Sequence, residues 1–134
     1  MKKVIQKYHV NKENEIHGDC WESCILSITE LDRDLLPSIN DEKYKGETYW
    51  QDFYLDMVLA LEKNGWELRN VSVTEFEESG EYCIASGDSP RGNGIKHAVV
   101  WQYGIYHDPH ESNAGLLTIT RFEELTNLKQ FEEL

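Results

Sequence analysis

The first half of the chain places its apolar residues at helical spacing. After Asp19 they recur at three- and four-residue steps and share one helix stripe: Trp21, Cys24, Ile25, Ile28 and Leu31. Asp19 is the expected N-cap, which makes Cys20 the expected first helical residue. A second helix is predicted from about Thr48 to Asn64, with Gly65 as its left-handed stop. The polar stretch 32–46 is predicted to connect the two helices.

The second half changes to the period of two that is typical of β-strands. Strands are predicted over four runs, Trp66 to Val73, Tyr82 to Ile84, Lys96 to Trp101 and Ile105 to Asp108, the last two forming an antiparallel hairpin. Leu116 to Thr120 is expected to add another strand. The acidic tail Phe122 to Leu134, in which FEEL occurs twice, is expected to cover the end of the sheet. Helices followed by an antiparallel sheet predict an α+β fold.

Length and charge limit the class of protein and its partners. The chain has 134 residues and a formal net charge of -12, a length that predicts one domain over residues 1–134. Nucleic acids and anionic membranes are bound through clustered Lys and Arg, so the acidic balance argues against both as partners. The longest purely apolar run is Met57 to Leu61, and the polar N-terminal residues lack the apolar centre of a secretory signal. We therefore expect a cytoplasmic location.

The three cysteines are candidates for chemistry or for packing. Cys20, Cys24 and Cys83 are an odd number without disulfide spacing, which favours free thiols in a reducing compartment. Cys20 is the candidate nucleophile, because the positive end of a helix stabilises a thiolate and is expected to lower the thiol pKa. Cys24 lies on the apolar stripe and Cys83 in a strand-like run, so both are expected to be buried.

A candidate base and its partner lie on the predicted hairpin. His97 opens the apolar strand 96–101, and positions 97 and 108 should lie nearly opposite each other across the turn. The carboxylate of Asp108 would then accept a hydrogen bond from the second imidazole nitrogen and stabilise the imidazolium. The spacing makes Cys20, His97 and Asp108 a candidate set, and it does not by itself establish contact among them.

Two segments carry a resemblance to a known family. GDCWESC, residues 18–24, resembles the nucleophile segment of papain-like cysteine peptidases, in which a Gly-x-Cys-Trp run starts the central helix. KHAVVWQYGIYHDPH, residues 96–110, resembles their His strand, hairpin and following Asp. The pairing of His-x-Val-Val with a later Asp-Pro is similar to the small bacteriocin-leader processing peptidases and related bacterial and phage proteins.

The resemblance implies a papain-like fold and a hydrolase that cleaves a peptide or isopeptide bond of a peptide or protein substrate, without a cofactor. It makes Cys20 the nucleophile, His97 the general base and acid, and Asp108 the orienting residue. Gln6 would supply the oxyanion-hole side chain, acting with the backbone amide of Cys20. Because Gln6 lies 14 positions before Cys20, farther than the family usually places it, Asn14 is the alternative donor.

The candidate substrate-binding residues flank this set. Ser86 and Gly87 begin a glycine-containing loop that runs to Gly94. Its turn composition favours a plain connector, and its position before His97 makes it a candidate rim of the cleft. Arg91 is the guanidinium of that loop, and Trp21 adjoins the nucleophile. This loop has neither the P-loop spacing nor the dinucleotide-binding spacing.

Other functions stay open from the sequence. His107, Asp108 and His110 have the chemistry of zinc ligands, but no CxxC or HxxxH pair occurs, so no metal site is predicted. A papain-like domain that only binds or inhibits a partner is one alternative, and an acyl transferase with the same triad is another. The substrate, the type of amide bond and the oligomeric state remain open.

Overall fold

The computed structural model describes residues 1–92 and 94–129. In this part of the chain two α-helices precede five β-strands. The helices are α1 (Cys20–Thr29) and α2 (Tyr49–Lys63), separated by a 3₁₀ turn at Arg33–Leu35. The strands are β1 (Trp66–Val71), β2 (Cys83–Asp88), β3 (Lys96–Trp101), β4 (Ile105–His107) and β5 (Arg121–Asn127). The α+β class, with the helices packed on an antiparallel sheet, is confirmed.

The strands form one sheet in the order β1-β5-β2-β3-β4, and every neighbouring pair is antiparallel. The last strand in sequence therefore lies inside the sheet, between β1 and β2. The prediction that residues 122–134 cover the end of the sheet is wrong for residues 122–127, because β5 pairs with strands on both sides. The second FEEL copy lies outside the described residues.

The helices cover one face of the sheet. Side chains of α1 and α2 pack there against Leu68, Ile84, Ala98, Val100 and Leu125. The opposite face buries a smaller cluster that includes Val71, Ala85, Val99 and Phe122, and residues of the loops 72–82 and 115–120 pack against it. Both faces of the central strands are thus buried, which accounts for the continuous apolar run in β3.

The helix boundaries follow the sequence with small differences. α1 ends at Thr29, two residues before Leu31, because Glu30 takes a left-handed conformation with φ 57°. α2 ends at Lys63, and Gly65 has φ 85°, as the pattern predicts for a stop residue. Neither described α-helix is long and apolar enough to cross a membrane.

Two strand predictions are corrected around the end of β2. The loop predicted from Ser86 begins only at Ser89, because Ser86, Gly87 and Asp88 pair with β3 and extend β2. Residues 116–120 are not a strand but run close over the end of β2. Gly87 permits this approach, since a Cβ at that position would lie 1.9 Å from the carbonyl oxygen of Thr118.

Candidate active site

Cys20 is the first residue of α1, as predicted, and part of its surface stays open. The Asp19 side chain, however, does not cap the helix. Its Oδ1 accepts hydrogen bonds from the backbone amides of Lys7 and Tyr8 at 2.9 and 2.8 Å, and its Oδ2 lies 3.3 Å from the guanidinium of Arg33. The prediction of a side-chain cap is wrong, because this carboxylate ties the N-terminal segment to the start of α1.

The surroundings of the Cys20 thiol raise its pKa. Burial is the largest cause, and the carboxylates of Glu22 and Asp19 add to it. The backbone amides of Ala98 and Trp21 act in the opposite direction, and the resulting pKa is about 12. The expectation of a lowered pKa is wrong, because desolvation outweighs the helix terminus. The thiol is therefore protonated at neutral pH and needs a base in order to react.

His97 and Asp108 form a buried hydrogen-bonded pair. His97 Nε2 lies 2.7 Å from Asp108 Oδ1, and the two side chains are 1% and 3% exposed. The backbone amides of His110 and Gly115 also donate to this carboxylate, each at 2.9 Å. Burial alone would raise the pKa of Asp108, but these three hydrogen bonds outweigh it and hold the pKa below its ordinary value. Because Nε2 faces Asp108, Nδ1 is the imidazole nitrogen that can accept the proton of a thiol.

The hairpin reaches this contact through a register that differs from the predicted one. Val100 pairs with His107 and Trp101 with Ile105, with an irregularity between them, so position 97 is not directly opposite position 108. Asp108 still reaches the ring because it follows the last residue of β4, where the chain turns away from the strand.

Cys20 and His97 line one cleft of about 1120 Å³. His97 is the second residue of β3, next to Ala98, which packs with the helices. Residues at the end of β2 and at the start of β3 also line the cleft, so it opens beside His97. No hydrogen bond joins Cys20 to His97 within residues 1–92 and 94–129. Catalytic hydrogen bonds of this kind often tighten only when substrate binds.

The predicted substrate-binding residues divide into two groups. Ser86, Gly87 and Trp21 line the cleft. Arg91 is not among the lining residues, and its Nη1 lies 3.4 Å from the hydroxyl of Ser112. Arg121 lines the cleft instead. The sequence pattern does not single out Arg121, because this residue falls between the strand predicted at 116–120 and the tail predicted from Phe122.

The two candidate oxyanion donors lie in different places. Gln6 is buried, its backbone amide donates to the carbonyl of Pro109 at 2.9 Å, and its Nε2 lies 3.7 Å from the Cβ position of Gly18. That Nε2 also donates to the carbonyl of Tyr8 at 2.7 Å. Asn14 is exposed near the tip of a small turn, and neither Gln6 nor Asn14 is among the residues that line the cleft. Gln6 therefore lies beside Gly18, two positions before Cys20, and beside Pro109, which follows Asp108.

Two buried carboxyl groups near the cleft were not expected. Glu22 lines the cleft at 5% exposure, and burial, with the charge of Asp19 as a further cause, raises its pKa to about 8. Glu123 is fully buried on β5, and desolvation raises its pKa as well. Its Oε1 accepts a hydrogen bond from Trp21 Nε1 at 2.9 Å. The sequence pattern does not single out Glu22, because it lies off the apolar stripe of α1.

The histidines considered as zinc ligands have other partners. His107 Nε2 lies 2.7 Å from the carbonyl oxygen of Val4, and the backbone amide of Ser112 donates to His110 Nδ1 at 3.0 Å. Among the residues that the structure describes, no group of three His, Cys, Asp or Glu side chains could hold a metal ion.

Comparisons with protein-family models, with curated proteins and with solved structures found no match. The resemblance to papain-like peptidases rests on the sequence motifs around Cys20, His97 and Asp108.

Proposed function

We propose that this protein is a papain-like cysteine hydrolase that cleaves a peptide or isopeptide bond through a thioester on Cys20. The observation that carries the proposal is the buried His97–Asp108 pair, whose imidazole lines the same cleft as the thiol at the start of α1. The three cysteines are free thiols, which supports a cytoplasmic location as part of the same proposal.

In the first step His97 acts as a general base. Because burial keeps the thiol protonated, Nδ1 takes the thiol proton as the sulfur attacks the carbonyl carbon of the amide. The new imidazolium is stabilised by Asp108, which stays ionised because its pKa is low. Collapse of the tetrahedral intermediate breaks the C–N bond, and the imidazolium gives its proton to the leaving amine. The product of this step is a thioester on Cys20.

In the second step His97 removes a proton from water, which attacks the thioester carbonyl. Breaking the C–S bond releases the carboxylic acid, and the proton returns to the sulfur. The negative oxygen in both steps needs preorganised donors, for which the backbone amide of Cys20 and the Gln6 side chain are proposed. An amine in place of water would turn the same steps into acyl transfer.

A binding or inhibitory domain is the second candidate, and one observation favours it. The thiol of Cys20 has a high pKa and no hydrogen bond to His97 among the described residues. A vestigial site would have the same features, since an inert buried thiol needs no base.

Alkylation of the thiols by iodoacetamide separates the two candidates. The rate at each cysteine is followed by mass spectrometry from pH 5 to 10, in the wild type and in His97→Gln. The control is His110→Gln, which removes a second histidine ring whose centroid lies 6.2 Å from that of His97. The substitution keeps the backbone amide of residue 110 that donates to Asp108. Cys24 and Cys83 are internal references, since burial raises both of their pKa values.

For the enzyme we expect Cys20 to react at pH 7 roughly tenfold or more faster in the wild type and in His110→Gln than in His97→Gln. A rate that is equal in all three proteins, and that climbs about tenfold per pH unit as for an isolated thiol, would favour the binding domain.

A further inference from the structure

Three residues form a row across the floor of the cleft. Ser86 pairs directly with Ala98 on one side and with Arg121 on the other, and all three line the cleft. The thiol of Cys20 lies against the backbone amide of Ala98. Since neighbouring strands are about 4.8 Å apart, the Arg121 backbone lies on the order of 10 Å from Ala98. A substrate residue adjacent to the bond that Cys20 attacks is long enough to reach from Ala98 to Arg121.

The polar atoms of this row are incompletely satisfied. Ser86 is nine-tenths buried, and within the described residues its hydroxyl has no hydrogen-bond partner. The same holds for Arg121 Nε, although it lies 3.4 Å from Glu123 Oε1, an ion-pair distance without hydrogen-bond alignment. Buried polar atoms without partners are rare in folded proteins and costly. Two of them side by side in a cleft indicate that a ligand group completes their hydrogen bonds.

We infer that Ser86 and Arg121 form a subsite for a carboxylate group of the substrate, carried by the residue next to the bond that Cys20 attacks. This inference rests on the proposed function and names the class of substrate. A guanidinium matches the planar carboxylate with two parallel donors, and the serine hydroxyl supplies a third.

The charges around the row favour a carboxylate over a phosphate. Glu123 lies beside Arg121, and the chain as a whole carries -12. A dianionic phosphate is repelled by these groups more strongly than a monoanion. Glu123 lies against the Nε edge of the guanidinium, and no hydrogen bond among the described residues engages its two Nη groups.

The test is an NMR titration of ¹⁵N-labelled protein with three small compounds. N-acetylglutamate amide carries only a side-chain carboxylate, N-acetylglutamine carries only an α-carboxylate, and N-acetylglutamine amide carries neither. We expect one or both acids to shift the amide signals of Ser86, Ala98 and Arg121 in a saturable way, and the neutral amide to leave them in place. The acid that binds more tightly identifies the source of the carboxylate.

Two variants and a control test the residues. Arg121→Met keeps the length of the side chain and should weaken binding of the acid about tenfold or more, and Ser86→Ala should weaken it severalfold. Lys96→Met is the matched control, because Lys96 lines the same cleft but is mostly exposed and is paired with Asp88. It should bind the acid as the wild type does. The spectrum of each variant also reports whether it is folded.

The subsite proposal is overturned if the acids and the neutral amide bind equally well. It is also overturned if Arg121→Met binds the acid as tightly as the wild type does. The titration measures equilibrium binding and does not depend on the reactivity of Cys20. If the acids do not bind selectively but alkylation of Cys20 depends on His97, the subsite proposal is removed and the hydrolase proposal stands. Carboxylate binding without His97-dependent alkylation keeps the subsite and removes the hydrolase.

Discussion

The indole Nε1 of Trp21 donates to Glu123 Oε1 at 2.9 Å, and this hydrogen bond joins the first turn of α1 to the interior strand β5. Both side chains are buried, so removing either partner leaves the other without its hydrogen bond.

The Trp21–Glu123 bond predicts a coupled loss of stability. Trp21→Phe keeps an aromatic ring against Phe53 but removes the donor, and Glu123→Leu removes the acceptor. We expect each single variant to lower the free energy of unfolding by about 1 to 3 kcal/mol, and the double variant to lose less than the sum. Urea denaturation of the four proteins measures the coupling. Strictly additive losses would contradict a direct interaction.

Serine substitutions of the two cysteines of α1 are expected to have opposite effects on turnover and on stability. Cys20→Ser should abolish turnover and leave the melting temperature nearly unchanged, because a hydroxyl is far harder to deprotonate than a thiol. Cys24→Ser buries a hydroxyl at a fully enclosed position and should cost about 1 to 3 kcal/mol while the folded fraction stays active. Thermal melts and turnover of a substrate found by trapping measure both. Full activity in Cys20→Ser would remove it as the nucleophile.

Asp108→Asn tests the residue that orients the imidazole. With its amide oxygen at the Oδ1 position, asparagine can still accept from the His97 ring and the His110 amide, but the variant loses the charge that stabilises the imidazolium, and its NH₂ group faces the Gly115 donor. We expect a partial loss of His97-dependent alkylation of Cys20, smaller than in His97→Gln, and a lower melting temperature. A rate equal to that of the wild type would show that the carboxylate has no role in the reactivity of the thiol.

Glu22 predicts that stability falls as the pH rises. Its pKa is about 8 in the folded protein against an ordinary value of 4.5, so the folded chain binds more protons between these values. The contribution of Glu22 to the free energy of unfolding is therefore complete below about pH 4.5 and is lost progressively up to about pH 8, by on the order of 5 kcal/mol.

Glu22→Gln is the matched variant for this effect, because glutamine keeps the size of the side chain and cannot ionise. Its free energy of unfolding should fall less than that of the wild type between pH 5 and pH 8, as measured by urea denaturation at each pH. Parallel pH profiles would show that Glu22 is not the group responsible.

Much of the secondary structure followed from local pattern. The stripe from Trp21 to Ile28 and the left-handed stop at Gly65 are short-range features, and α1, α2 and the hairpin of β3 and β4 lie where they were predicted. The candidate nucleophile was identifiable for the same reason, since a helix start is visible in a few consecutive residues.

The order of strands and the environment of the site depended on distant residues. Nothing local distinguishes the first FEEL copy, residues 122–125, from an exposed acidic segment, and only pairing with β1 and β2 makes it an interior strand. Asp19 looks like a cap, yet its carboxylate binds amides more than ten positions away.

The sequence by itself determined α1, α2, the β3–β4 hairpin and the order of Cys20, His97 and Asp108 along the chain, because periodicity and turns act over a few residues. The tertiary structure decided the rest: it buried the thiol and raised its pKa, and it put Arg121 rather than Arg91 in the cleft. Burial, desolvation and strand pairing are set by residues far apart in sequence, and no local pattern records them.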